Sequence, residues 1–375
     1  MDLAGRRILI VGGGIGGMAA AIRFAEAQAD VTLIDIDTNW RVYGAGITIT
    51  GPTLRAYRRL GLLEQIREKG AITNGSRIFR YDGLLLHDLD EPVLEEGLPA
   101  TGGIMRPVLH HIMQSRVREL GVTVRLGMTV MELKEWQDGT EAVFSDGYSG
   151  RFDLIVGADS IYSGVRRIAF PHMGEAAPTG QGAFRVSMKR PPDVERGEFY
   201  FGHRYPVGIT CCAPDSCYLY LLPPHEYGDR ILGDDEVRSE LREKLADFGG
   251  NAGWIRDHMT DSDWVNYRPL AAALQPRPWY KGHIVLLGDA VHATTPHLAS
   301  GAGMAVESAL VLVEELARAS HVTEGLQAFE DRRFDRCKHV VDTSLAIGQI
   351  QLSGGPAEDA GALLSGALHR LAEEY

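Results

Sequence analysis

The sequence holds only four cysteines in 375 residues, Cys211, Cys212, Cys217 and Cys337. That is too few for a disulfide scaffold. The adjacent pair has no zinc-ligand spacing and no second pair to match it, so the thiols are expected free and packed as small apolar groups. No metal site is expected. Positive charge is scarce too, with 38 Lys and Arg against 50 Asp and Glu and a formal net charge of −12. A main partner such as nucleic acid or an anionic membrane would need a basic face, and both are set aside. No apolar run is long enough to span a bilayer. Residues 1–6 lead straight into a strand pattern without a signal-peptide signature, so the cytoplasm is the expected location. No internal repeat, carboxylate pair or Ser/His/Asp trio stands out.

Glycine, by contrast, is plentiful at 44 residues and gathers at strand–helix junctions. Arg7–Val11 (RILIV) reads as a buried strand, 18–27 as an alanine-rich helix and 31–35 (VTLID) as a second strand. A strand, glycine turn, helix and strand within about thirty residues make a βαβ unit. Its turn, Gly12-Gly13-Gly14-Ile15-Gly16-Gly17, satisfies GxGxxG through Gly12, Gly14 and Gly17. Gly12 permits the tight turn, Gly14 lets backbone approach a pyrophosphate, and Gly17 lets helix and strand pack closely. The helix start, including Ile15 and Gly16, offers free N–H groups to an anion. Asp35, ending the next strand, is placed to accept from a ribose diol. This motif alone does not separate FAD from NAD.

Further on, the pattern predicts one helix over 54–69 ended by Gly70, a hairpin around Asp82-Gly83, and a helix over 106–120 stopped by Gly121. Strands follow at 122–126, 142–144 and 153–156. From about 182 to 274 short alternating runs, such as 198–202 and 217–222, predict a mostly β lobe with one helix near 235–248. A strand at 283–287 then runs into a helix over 304–319. There Ala305, Ala309, Leu312, Val313 and Leu316 share one face. The tail from Pro356 reads as a final helix.

A second signature lies in this late part. Gly288-Asp289-Ala290-Val291-His292 is followed by Pro296 and by Gly301-Ala302-Gly303. With Gly157-Ala158-Asp159, Ser163 and Arg166, the set resembles the class A flavoprotein aromatic hydroxylases, the family of para-hydroxybenzoate and salicylate hydroxylases. The resemblance covers nearly the whole chain, with three motifs in family order. It implies an α/β fold: a Rossmann-like FAD-binding body of glutathione-reductase type, an inserted mostly β substrate lobe and a C-terminal helical segment. The expected division is 1–72, 100–180 and 275–330 for the body, 73–99 and 181–274 for the lobe, and 331–375 for the C-terminal helices.

The resemblance also implies site residues. Gly288 and Asp289 would meet the ribityl and pyrophosphate parts of FAD, and Pro296 and Gly301–Met304 the flavin pyrimidine edge. Gly46, within Gly44-Ala45-Gly46-Ile47, would run beside the isoalloxazine. Arg41 and Arg106 stand at the places of two FAD-contacting arginines. One departure is Ser160, where the family has glycine after Asp159, and it leaves nicotinamide access open. No second GxGxxG appears, so NAD(P)H is expected as a transient co-substrate. There is no Trp-x-Trp-x-Ile-Pro motif of the related halogenases. The implied function is NAD(P)H- and O2-dependent hydroxylation of a small aromatic or heteroaromatic compound through a flavin hydroperoxide, by a monomer or homodimer. An isoprenoid-chain reductase on the same fold and a non-catalytic FAD-binding protein are the alternatives. In the lobe, His203, Tyr205 and Arg185 are the catalytic candidates. A histidine could take a phenol proton, and Arg185 or Arg204 could pair with an aromatic acid. His292 reads as structural, with His297 beside Pro296 an outside candidate for base.

Overall fold

Four consecutive apolar side chains after Arg7 are the pattern of a strand covered on both faces. In the computed structural model, which describes every residue except Tyr43 and Gln137, Arg7–Val11 (β1) lies inside a six-stranded sheet with Ile8 to Val11 buried. The sheet order is Tyr280–Lys281, Ile284–Leu286, Leu154–Gly157, β1, Asp30–Asp35 (β2) and Thr123–Leu126. All neighbours run parallel except the first two strands, which form an antiparallel hairpin. Helix Ile15–Glu26 (α1) connects β1 to β2, and its small buried residues let the Gly301–Arg318 helix pack closely on it. The sheet thus draws strands from the start, middle and late parts of the chain.

The second large element is a seven-stranded sheet in the order Trp264–Leu274, Ala177–Lys189, Ser216–Leu221, Pro206–Cys211, Gly197–Phe201, Gly75–Arg80, Leu85–Asp90. Side chains alternate across it. Phe184, Leu219 and Leu221 pack in one core with Leu241 and Ile255 of two covering helices, while Arg185, Tyr218 and Tyr220 turn to the other face.

Several expectations are corrected. The helix expected over 54–69 is two, Gly51–Arg59 and Leu63–Lys69. Gly61 takes φ +73° between them. Its N–H donates to the Arg58 carbonyl and that of Leu62 to the Tyr57 carbonyl, each at 3.0 Å, a Schellman stop. The lobe carries two helices, Asp234–Lys244 and Gly250–His258, where one was expected. A small sheet of Gly46–Thr50, Thr101–Met105 and Ala71–Thr73 was not anticipated. Nor was the 32-residue length of the helix Val322–Ser353, which precedes the expected final helix, Ala357–Ala372. All four cysteines are free and buried. Among the described residues no helix is long and apolar enough to cross a membrane.

Candidate active site

One cavity of about 1,000 Å³ runs from the first glycine turn to the face of the lobe sheet, at the upper end of the roughly 300–1,000 Å³ usual for ligand sites. At its first end the turn is built by crowding. A Cβ on Gly12, which takes φ +106°, would stand 2.3 Å from the Ala158 carbonyl oxygen, and one on Gly17 1.9 Å from that of Gly12. Gly14 differs: nothing lies within 4 Å of its Cβ position, because it opens into the cavity. The first-turn N–H groups of α1, which helix geometry leaves without internal partners, start there.

Asp35 braces this turn. Its carboxylate accepts from the Gly13 N–H at 2.6 Å and the Asp37 N–H at 2.7 Å. Each oxygen keeps a lone pair for a ribose hydroxyl. The Gly13 carbonyl accepts from Trp40 Nε1 at 2.9 Å and faces His110 Nε2 at 3.2 Å. Arg41 and Arg106 both reach the cavity wall.

The middle of the cavity is formed by Gly288, Asp289, Asp159 and Ser160. Gly288 takes φ +66°, turning the chain from the Ile284–Leu286 strand into the short Asp289–His292 helix. The Asp289 carboxyl is exposed on the cavity wall. The protein packed around it raises its pKa, offset in part by the positive fields of His292 and Arg106. Asp159 accepts from the Ser163 hydroxyl and, at 3.0 Å, from the Val165 N–H, capping the Gly164–Ala169 helix. Ser160 holds the turn with φ +73°, at a strain a glycine would not carry. Arg166 is fully buried and donates to the carbonyls of Ile161 and Ala290, each at 2.8 Å, and to Glu175 at 3.0 Å. His292 is buried against Ser308 at 3.2 Å, away from the cavity.

At the lobe end the wall is made by Gly46, Ile47, Thr48, Arg185, Tyr218 and Tyr220, with Leu270 and Thr294–Pro296 beside them. A Cβ on Gly46 would strike Cys212 Sγ at 2.1 Å and the Tyr218 ring at 2.3 Å, so only glycine lets this strand lie against the tyrosines. The two tyrosine rings stack with centroids 5.5 Å apart. Thr48 Oγ1 lies 3.0 Å from the Tyr218 hydroxyl and 2.8 Å from Thr210 Oγ1. The Arg185 guanidinium projects into this end, where burial, then the like charge of Arg106, lower its pKa to about 10. Ser300, Gly301 and Ala302 close the wall at the start of the Gly301–Arg318 helix.

Two catalytic candidates fall elsewhere. Tyr205 donates to the Lys244 carbonyl at 3.0 Å and stacks on Phe248, and His203 packs against Tyr81 with centroids 4.3 Å apart. Neither lines the cavity among the described residues, nor does Arg204. They sit in the turn that joins Gly197–Phe201 to Pro206–Cys211, two interior strands of the lobe sheet, outside the cavity wall. Gly17, Gly303 and Met304 also stand behind the wall: a Cβ on Gly303 would meet Thr53 Oγ1 at 2.2 Å, and Met304 is buried. Among the lining residues that the sequence did not single out are Trp40, Thr48, His110, Tyr218, Leu270 and Thr295, which have no motif of their own.

A family model described as FAD binding domain matches residues 6–344. A protein of Bacillus subtilis (strain 168), YetM, which carries the name of an FAD-dependent monooxygenase, is 32% identical over 94% of this chain and 96% of its own. The chain belongs to the FAD-dependent monooxygenase family. A Pseudomonas aeruginosa member of the family, named 2-heptyl-3-hydroxy-4(1H)-quinolone synthase, is 28% identical across 92% of this chain and 89% of its own. Among solved structures, Klebsiella pneumoniae HpxO complexed with FAD and uric acid superposes with a TM-score of 0.81 at 20% identity, covering 98% and 93% of the two chains. That likeness concerns the fold. The cavity suits the family's cofactor: its volume, the open Gly14 and two helix N-termini match a long ligand with a central diphosphate.

Proposed function

We propose that this monooxygenase uses NAD(P)H and O2 to hydroxylate a small aromatic or heteroaromatic ring held between Asp289 and the Arg185–Tyr218–Tyr220 wall. The observation that carries this reading is the continuity of one cavity from the Gly12–Gly14 turn to that wall. A protein that only stored a dinucleotide would have no need of the second, aromatic end. In this arrangement FAD is held by Gly12, Gly14, Ile15, Gly16 and Asp35 at the ADP part, by Arg41 and Arg106, and by Asp289 at the ribityl chain. Gly46, Pro296, Gly301 and Ala302 flank the flavin ring, with Gly303 and Met304 packed behind them. Asp159 and Ser160 border the cavity where a nicotinamide could approach. Residues 73–99 and 181–274 supply the substrate side, and residues 1–72, 100–180 and 275–330 the FAD side.

Bound FAD would supply the activation of O2 and its delivery to carbon, with electrons from NAD(P)H. The chain positions, desolvates and balances charge. Arg185 offers a cation to an anionic ring substituent, Tyr218 and Tyr220 offer flat apolar contact, and the Gly301–Arg318 helix start faces developing negative charge. A heteroaromatic substrate gains support from the quinolone named for one relative and the uric acid bound to HpxO. The test is NAD(P)H oxidation with a panel of hydroxylated, carboxylated and N-heteroaromatic compounds, under isotopically labelled O2. One labelled oxygen in a ring product is the expected result. Stimulated oxidation that never labels a product overturns the hydroxylase reading, and no stimulation by any compound favours a scaffold.

A further inference from the structure

Thr295 belongs to the walls of two cavities, the chamber described above and a second of about 440 Å³ behind it. The second is bounded by Thr179 and Gln181 of a lobe strand, by His297, and by Ser344 and Gly348 of the Val322–Ser353 helix. A chain of hydrogen bonds crosses the partition. Thr295 Oγ1 meets His297 Nδ1 at 2.8 Å, and His297 Nε2 meets Gln351 Oε1 at 3.1 Å. Gln181 Nε2 reaches both Gln351 Oε1 and the Leu222 carbonyl, each at 3.0 Å.

The direction of this chain is fixed from its far end. A backbone carbonyl only accepts, so Gln181 turns its amide nitrogen to Leu222. The second hydrogen of that nitrogen points at Gln351, which therefore presents its oxygen. Facing an oxygen, His297 Nε2 carries a hydrogen. Burial keeps the ring neutral by lowering its pKa to about 4, so Nδ1 holds a lone pair. Thr295 must then donate its only hydrogen to His297. Toward the chamber Thr295 can act solely as an acceptor. Gly348 makes the close approach feasible, since a Cβ there would lie 2.6 Å from Gln181 Oε1 and 3.1 Å from the His297 ring.

We propose that Thr295 and His297 form a proton relay, which accepts an O–H or ring N–H of the chamber ligand and passes its proton to water in the second cavity. The proposal rests on the reading that the chamber takes an aromatic substrate, and it narrows that class to phenols and N–H heteroaromatics. As the ligand O–H or N–H bond breaks, its proton moves to Thr295 Oγ1 and the Thr295 hydroxyl proton moves to His297 Nδ1. The Nε2 proton leaves to water once Gln351 yields its place, and the electron pair stays on the ligand. In reverse, the same path returns a proton to the chamber and restores the starting tautomer.

The experiment uses FAD-loaded protein with 4-nitrophenol and 4-nitroanisole, below the solution pKa of the phenol. Flavin absorbance reports binding, phenolate colour reports ionisation, and an indicator in weak buffer reports released protons. The expected result is nitrophenol bound as phenolate with proton release, and nitroanisole bound without it. Thr295→Val slows release by about a hundredfold, the scale of a lost acid–base group. Thr295→Ser retains the wild-type rate, and added imidazole restores release to His297→Ala. Nitrophenol bound in its neutral form, or release from Thr295→Val as fast as wild type, overturns the relay. Failure of both aromatics to bind wild-type protein overturns the aromatic reading instead.

Discussion

Arg166 donates to the Ala290 carbonyl at 2.8 Å, so one buried side chain fastens the turn that carries Asp159 to the turn that carries Asp289. The two turns come from strands adjacent in the central sheet, Leu154–Gly157 and Ile284–Leu286. Between them they form the middle of the cavity. Arg166→Ala would leave two carbonyls short of a charged donor. A loss of about 3 kcal/mol in unfolding free energy is expected, measured by urea unfolding of the FAD-free protein. An unchanged midpoint would mean that the tie carries no energy.

Asp289→Ala should weaken FAD binding by about tenfold to a hundredfold, the scale of one charge-assisted hydrogen bond. Flavin absorbance of the purified variant, followed by titration of the stripped protein, reads this directly. Full flavin occupancy with unchanged activity would remove Asp289 from the FAD site.

Two glycines of one motif should behave differently. Gly17→Ala places a Cβ 1.9 Å from a carbonyl oxygen and should lower the unfolding midpoint sharply, whether or not flavin is present. Gly14→Ala meets nothing within 4 Å and should leave the stripped protein as stable as wild type, while it weakens FAD binding. Paired melting curves and flavin titrations separate the two. Equal melting points for both variants would contradict the crowding argument.

Arg185 gives a prediction about pH. Its pKa in the fold is depressed to about 10 by burial and then by Arg106, so the charged form is disfavoured in the native state. That cost is fully present below about pH 10 and is relieved as pH rises through it. Arg185→Met should therefore raise the unfolding midpoint of the FAD-free protein at neutral pH, and the gain over wild type should shrink in alkali. The same variant should lose affinity for benzoate while it keeps affinity for benzamide. A lower midpoint at neutral pH would show that Arg185 is paired in solution.

His203→Ala and Tyr205→Phe should leave turnover unchanged, because both side chains stand outside the chamber. Tyr205→Phe loses only the bond to the Lys244 carbonyl, about 1 kcal/mol. A fall of tenfold or more in kcat for either variant would require the lobe to rearrange during catalysis.

These last two residues mark the limit of reading the sequence. The glycine turn, Asp35 and the Gly288-Asp289 stretch are local: spacing along the chain fixes spacing in space. Tyr218 and Tyr220 reach the chamber through strand pairing and alternation, which no short motif records. His203 and Tyr205 had the right chemistry in a turn that lies outside the chamber. The division at Gly61 was missed because one glycine in a helical pattern reads as tolerated, yet its positive φ makes it a stop. The long helix was obscured by its own buried face. Arg333 and Ser344 lie inside it, and Arg333 is neutralised by Glu307 at 2.9 Å, so the stripe does not look apolar. The Gly250–His258 helix contains two glycines and has little intrinsic propensity. Its start is held by bonds from Asn251 to Glu198 and Tyr200.

The Val322–Ser353 helix packs on the Gly301–Arg318 helix, on two lobe strands and on the final helix. At 32 residues it extends roughly 48 Å. An element that long, shared by the Gly301–Arg318 helix and the lobe sheet, acts as a common spine, and neither can shed it alone without exposing its apolar face. Heating should therefore melt the molecule in one cooperative transition, with the amides of this helix among the last to exchange. Cutting the chain between the sheets would give pieces that aggregate rather than two soluble halves.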